Sequence, residues 1–298
     1  MMEGAKAEGT RGTVLAGIVT YEPEIQRLKE NIAAIVPQAD RVVIIDNGSG
    51  NREEIREVLS EFPGVSLVLN AENRGIAFAL NQIGDAAKEA GSAFFLSLDQ
   101  DSVAGADVVE KLAELFSDET VGGASPYIHT ETDPRPEERI QEIRTAISSG
   151  FMTRTALWEE IGGYWEYLFI DEVDHEFCFQ MKRKGYRILR RNDTEIEHTL
   201  GKTFTKKVFG HTFTPNNHSA FRRYYIARNN VIMKHLYPEE ETGAFAHRTR
   251  MLGRMAVSIL MCEDRKAEKI GAILRGIRDG KAWNRTHRET GERRVAVP

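Results

Sequence analysis

The sequence predicts an α/β fold, a mostly parallel sheet flanked by helices and continued by a helical C-terminal region. Three observations carry this. Short apolar, β-branched runs alternate with amphipathic segments as far as residue 128. Several of those runs end abruptly in polar residues, the place where open parallel sheets bind ligands. From about residue 218 the chain reads instead as helices rich in Arg, Tyr and Met.

VLAGIVT (14–20) is a buried strand. Tyr21, Glu22 and Pro23 then open a helix, with Pro23 near its first position, where a missing N–H costs nothing. Ile25, Leu28, Ile32 and Ile35 give that helix one apolar face. VVIID (42–46) is a second strand that ends in the polar loop DNGSG. Ile55, Val58 and Leu59 mark a helix, VSLVL (65–69) a third strand, and NRGIAFALNQIGDAAKEAG another amphipathic helix. AFFLSL (93–98) is a fourth buried strand that runs directly into DQDS. Right-handed crossovers should join the parallel strands. Beyond residue 128, HTETDPRPEERI reads as a charged loop and AISSGFM as a strand. TRTALWEEIGG and VDHEFCFQMKRKGY read as helices closed by glycine, and RILR and TEIEH as short strands. The chain thus divides into a disordered tail (1–12), a main domain (13–217) and a basic helical region (218–298).

A chain of 298 residues, 41% hydrophobic, can build one large domain or one domain with a sizeable appendage. Mean hydropathy is −0.41, and no segment approaches the apolar length needed to cross a bilayer. The start, MMEGAKAEGTRG, lacks the apolar run of a signal peptide, so a cytoplasmic location is expected. Cys178 and Cys262 lie in apolar, helix-like patterns and read as buried reduced thiols rather than a disulfide or metal site. Charge is uneven: residues 1–199 carry 20 Lys+Arg against 36 Asp+Glu, whereas residues 200–298 carry 20 against 9. The basic third suggests a face that meets a phosphate-bearing substrate, a bilayer surface or nucleic acid, or simply a solvated helical face.

Three strand ends present candidate ligand groups: Thr20-Tyr21, Asp46-Asn47 and Asp99-Gln100-Asp101. Asp99 and Asp101, one residue apart after a buried strand, can both face a single hard cation such as Mg²⁺ or Mn²⁺. Such an ion would neutralise a pyrophosphate leaving group. Asp46 either accepts hydrogen bonds from a nucleotide or closes its own DNGSG turn. Arg74, just before a helix, either holds a phosphate or is a surface arginine. FIDEVDHEFC (169–178) puts Asp171, Glu172, Asp174 and Glu176 at or near a helix start, more carboxylates than capping needs, so one can be a general base. His198, after a strand, is a further metal ligand or a structural histidine.

Together VTYEP, IIDNGS, NRGIAFALNQI, LSLDQDS, SSGFM, LFIDEVDHEFCFQMKRKGY and HTLG resemble the family 2 glycosyltransferases, most closely their bacterial rhamnosyltransferase branch, over about residues 13–235. The resemblance implies the GT-A fold, a Rossmann-like sheet, and a metal-dependent transfer with inversion at the anomeric carbon. It implies that Thr20, Tyr21, Asp46 and Asn47 line the nucleotide, that Arg74 approaches base or diphosphate, and that Gly150 of SSGFM stands by the donor. Asp99 would sit near ribose and metal, Asp101 would bind the metal directly, and His198 would complete its shell. Asp171 matches the acidic position of the FID-x-VD motif and is the leading candidate for the base; in many relatives the pair reads Glu-Asp with its second member as base, a place taken here by Glu172, so the base is Asp171 or Glu172. Asp174 would support acceptor or helix. The implied donor is dTDP-L-rhamnose and the acceptor a saccharide or lipid-linked saccharide of a cell-surface polysaccharide, with no nucleic acid involved. The cluster Arg222, Arg223, Tyr224, Tyr225, Arg228 and Asn229 would then meet a membrane surface or lipid pyrophosphate, or pack on the sheet or a second subunit.

Other readings compete. DQDSV also fits the D-x-D-x-[TV] pattern of haloacid-dehalogenase phosphatases with Asp99 as nucleophile, but that motif follows a first strand, not a fourth. A sugar-nucleotide-forming nucleotidyltransferase should carry a Gly-rich basic loop where TYEPE stands. A non-catalytic sugar-binding relative should have lost carboxylates that are all present here.

Overall fold

The computed structural model of the chain describes residues 12–129, 135–198, 206–208, 211–213, 217–240 and 248–287. Its first half is a run of parallel strands, β1 (Val14–Thr20), β2 (Arg41–Asp46), β3 (Val65–Leu69) and β4 (Phe94–Asp99), ordered β3-β2-β1-β4. Helices α1 (Ile25–Ile35), α2 (Arg52–Ser60) and α3 (Ile76–Glu89) make the crossovers. Every residue of β1 is buried, which is why it reads as an unbroken apolar run rather than an alternating one.

The second half mixes directions. After β5 (Ser102–Ala104) and α4 (Val108–Glu114) come β6 (Val121–His129), β7 (Ile140–Ile143) and β8 (Phe151–Arg154). Then follow α5 (Thr155–Ile161), α6 (Val173–Arg183) and β9 (Arg187–His198). The sheet continues β4-β8-β6-β9-β5, with β8 antiparallel to both β4 and β6, and β5 and β7 antiparallel to β9. A small hairpin of β10 (Lys206–Val208) and β11 (His211–Phe213) precedes α7 (Ala220–Leu236), α8 (Arg248–Cys262) and α9 (Lys266–Thr286).

Four expectations change in detail. Helix α1 starts at Ile25, because the Glu24 side chain caps the N–H groups of Gln26 and Arg27; Pro23 stands before the helix. AISSG is a loop, and only from Phe151 is there strand, because Ser97 donates to the Ser148 carbonyl and Gly150 turns at φ +81°. RILR and TEIEH are one strand, β9, in which Asn192-Asp193-Thr194 are extra residues between the Arg191 and Glu195 partners of Pro126 and Tyr127 in β6. Cys178 is buried but Cys262 only half so, and both thiols are free.

The core lies on both faces. Helices α1, α2 and α4 cover one, with Leu28, Ile32, Ile55 and Leu112 against Ile18, Ile44 and Leu96. On the other, Leu80, Ile83, Trp158 and Phe177 pack on Phe95 and Ile45, together with Ile232, Met233 and Leu236 of α7 and Trp283 of α9. Each large apolar side chain buried this way contributes about 1.5–3 kcal/mol, so Ile232, Met233 and Leu236 anchor α7 to this core. Among the described residues no helix is long and apolar enough to cross a membrane.

Candidate active site

Register brings the first strand ends to one level. Thr20 stands opposite Asp46 and Val19 opposite Asp99, so β1, β2 and β4 release their loops at the same edge of the sheet. Thr20 and Asp46 are fully buried, and the Thr20 hydroxyl donates to Asp46 Oδ1 at 3.2 Å. The Ser49 hydroxyl donates to the same oxygen, the Ser49 N–H reaches Oδ2 at 3.1 Å, and Arg52 Nε lies 3.6 Å from Oδ2. Asp46 therefore closes its own turn, the local alternative for this residue. Tyr21 is exposed, and its N–H donates to Gln100 at 2.7 Å, tying the first strand end to DQDS. Asn47 accepts the Arg74 N–H at 3.1 Å and donates to the Gly75 carbonyl at 3.1 Å. Arg74 is exposed, its guanidinium 3.5 Å above the Phe78 ring.

Asp99 ends β4 half-buried; its N–H donates to Ser149 Oγ at 3.2 Å and its carbonyl accepts from Asn31 at 2.8 Å. The Asp101 carbonyl accepts from Arg27 Nε at 3.0 Å, and Ser149 bonds Ser102 at 2.6 Å. The SSG segment thus passes behind the aspartates. Gly150 is buried there with its N–H on the Ser97 carbonyl, and a Cβ on it would come 2.5 Å from Ile196 Cδ1. What the structure shows for Gly150 is a tight crossing of chains. His198 pairs in backbone register with Ser102, one residue from Asp101, but its side chain and residues 199–201 lie outside the described residues. Among the described residues no three His, Cys, Asp or Glu side chains gather as a metal-holding group. The donors that are placed, two carboxylates on one short turn, are hard oxygens of the kind Mg²⁺ and Mn²⁺ take.

The segment before α6 is strained. Phe169, Asp171 and Glu172 all have φ between 63° and 66°, a region that costs any residue with a Cβ. Its surroundings hold it there. Asn229 of α7, fully buried, donates its amide to the carbonyls of Leu168, Ile170 and Asp171 at 2.8–2.9 Å. Arg228 donates to the Tyr167 and Leu168 carbonyls and lies over the rings of Tyr167 and Tyr225 at 4.5 and 4.6 Å. From the other side, Ile76 at the start of α3 donates to the Phe169 carbonyl at 2.8 Å. Gly75 (φ +88°) leaves the room, for a Cβ there would stand 2.8 Å from the Phe169 ring.

The four acidic residues then separate. Asp171 is ion-paired with Arg222 at 3.0 Å. Glu172 Oε2 lies 3.2 Å from His175 Nδ1. Asp174 accepts the His175 N–H at 2.9 Å in the first turn of α6. Glu176 is fully buried, accepting from Tyr237 at 2.6 Å and Gln180 at 3.0 Å, and so belongs to the core. Nearby, burial and then the charges of Arg222 and Arg223 hold the His218 imidazole below its usual range.

Sequence reasoning missed the work of α7. Arg222 binds Asp171, Arg223 is buried against Glu263 at 2.6 Å, and Arg228 and Asn229 face the strained loop. A signal was present: Asn229 shares a helix face with Ile232, Met233 and Leu236, a polar residue at a core position.

Residues 16–187 match the model of glycosyl transferase family 2. The dTDP-rhamnosyl transferase RfbF of Shigella flexneri is 28% identical over 239 residues, 74% of this chain and 79% of that protein. Two solved structures share the fold. The 1–349 portion of S. aureus TarS superposes with a TM-score of 0.55 at 15% identity, over 89% of this chain and 81% of its own. GalNAc-T7, crystallised with UDP, GalNAc and Mn²⁺, gives 0.57 at 13% identity over 84% of this chain, which spans 58% of that longer one.

Proposed function

The chain belongs to glycosyl transferase family 2 and has the GT-A type of α/β fold, and from that premise we propose that it transfers L-rhamnose from dTDP-L-rhamnose. The acceptor is a hydroxyl of a saccharide or lipid-linked saccharide in cell-surface polysaccharide synthesis. The rhamnosyl donor is supported by the likeness to RfbF. The observation that carries the reading is the junction at Gly75, where the strand-end loops meet the strained acidic loop.

In this reading Thr20, Tyr21, Asp46 and Asn47 shape the nucleotide side, and Arg74 pairs with the diphosphate. Asp99 and Asp101, joined by His198, would hold Mg²⁺ or Mn²⁺, which supplies positive charge against the departing diphosphate. The acceptor oxygen attacks the anomeric carbon from the face opposite the nucleotide, so the configuration inverts. The bond to the β-phosphate oxygen breaks with its electron pair, and a carboxylate takes the acceptor proton. We assign that proton to Glu172. Asp171 is already engaged by a permanent cation, Arg222, whereas Glu172 meets the titratable His175. Asp171 and Asp174 then hold the loop and the helix start in position. The protein would work in the cytoplasm, with the outward Met251, Val257 and Leu260 of α8, beside Arg250 and Arg254, against the membrane surface.

Calorimetry with dTDP, UDP and GDP, with and without Mg²⁺ or Mn²⁺, tests this. Metal-dependent binding that favours dTDP and disappears in Asp101→Ala is expected. A preference for UDP or GDP would overturn the donor, and no binding of any of the three would overturn the metal-dependent transfer.

A further inference from the structure

We propose that Phe221, backed by Phe169 and Tyr225, forms a platform on which a pyranose ring of the acceptor stacks. The proposal rests on the transfer reading above and gives it an acceptor subsite. The three rings touch one another: Phe169 lies 4.9 Å from Tyr225 with planes 19° apart, and 5.5 Å from Phe221 at 78°. Phe221 and Tyr225 are 4.9 Å apart. Among the described residues none of the three belongs to a buried core cluster, and Phe221 is 56% exposed in the first turn of α7. Phe169 and Tyr225 are half-buried, stacked on each other and held by Gly75 and Arg228, so the ring left open is that of Phe221.

Their position gives them a use. Phe169 is one of the strained residues, and its ring sits against Gly75, whose carbonyl accepts from Asn47. The platform thus begins where the strand-end loops stop. Arg222, next to Phe221, reaches Asp171, so a carboxylate–guanidinium pair stands at the platform's edge. A pyranose offers an apolar patch of C–H groups on one face and hydroxyls around its rim. Aromatic faces take the patch, and adjacent charged groups take the rim. A hydrocarbon chain laid here would strip water from Asp171 and Arg222 without replacing their hydrogen bonds, which is costly. The chemistry at this spot favours a sugar.

The test uses the full-length protein with Mg²⁺ and dTDP, and Phe221→Ala and Phe221→Trp beside it. Phe221 is exposed, so neither variant disturbs the core. Methyl α-L-rhamnoside, methyl β-D-glucoside and methyl N-acetyl-β-D-glucosaminide are offered in turn, with saturation-transfer NMR as readout. At least one should show transfer concentrated on the C–H groups of one ring face. That binding should weaken about tenfold in Phe221→Ala, the scale of one lost aromatic contact, and persist in Phe221→Trp. Unchanged binding in Phe221→Ala overturns the platform, as does a wild-type protein that binds dTDP but none of the glycosides. Glycoside binding that is lost in Phe221→Ala, in a protein that binds no nucleoside diphosphate, would overturn the transfer reading and leave the platform standing.

Discussion

Glu172 is held left-handed at φ +66°, ψ 0°, directly before α6, a site that glycine would occupy at lower cost. That conformation costs a residue with a Cβ about 1 kcal/mol. Replacing Glu172 by Gly should keep or raise the urea midpoint while abolishing sugar transfer, and Glu172→Gln should keep the midpoint and lose transfer likewise. A strong fall in the midpoint of the Gly variant would mean that the carboxylate holds the loop rather than serving chemistry. At this scale the sequence was partly legible. The acidic run before a helix announced itself by residue type. Its division into Asp171 on Arg222, Glu172 on His175 and Glu176 in the core did not, because Arg222 and Tyr237 lie 51 and 61 residues further along.

Helix α7 is the element whose part was hardest to foresee. Its polar positions serve a loop more than fifty residues earlier, and local periodicity carries no information about such a contact. Asn229 replaced by Ala would remove its three bonds to the loop, taking this donor from the Ile170 and Asp171 carbonyls while Leu168 keeps Arg228. The expected loss is about 2 kcal/mol of stability, the scale of a buried polar group left unpaired. Transfer should fall further than stability, since the same three bonds hold the strained backbone. Thermal unfolding and initial rates, measured side by side below the melting range, separate the two effects; equal losses would give Asn229 a merely structural role. Strands β1 to β4 were legible for the opposite reason. Each is a short apolar run stopped by a polar residue; β1, β2 and β4 are buried, and β3, at the end of the sheet order, is half-buried. β5 and β7, three and four residues long, offered no such run and depend on β9 as a template.

For the whole molecule, the boundary drawn near residue 217 crosses a shared core. Ile232, Met233 and Leu236 pack in the same cluster as Phe95, Trp158 and Phe177, and Trp283 of α9 joins them. A chain ending at residue 217 should consequently lack cooperative thermal unfolding and fail to bind dTDP. A soluble, cooperatively melting fragment that binds nucleotide would show instead that the parallel sheet and its crossovers suffice.

The alignment of strand ends has a consequence for how such a chain can diverge. Thr20, Asp46 and Asp99 face the same edge because β1, β2 and β4 are counted from a common register. One residue inserted within β4 would turn Asp99 to the opposite face of the sheet and leave the apolar run intact in composition. The strands therefore act as rulers. Loops between them can lengthen or shorten as substrates change, while the number of residues in each strand is fixed by the side chain at its tip.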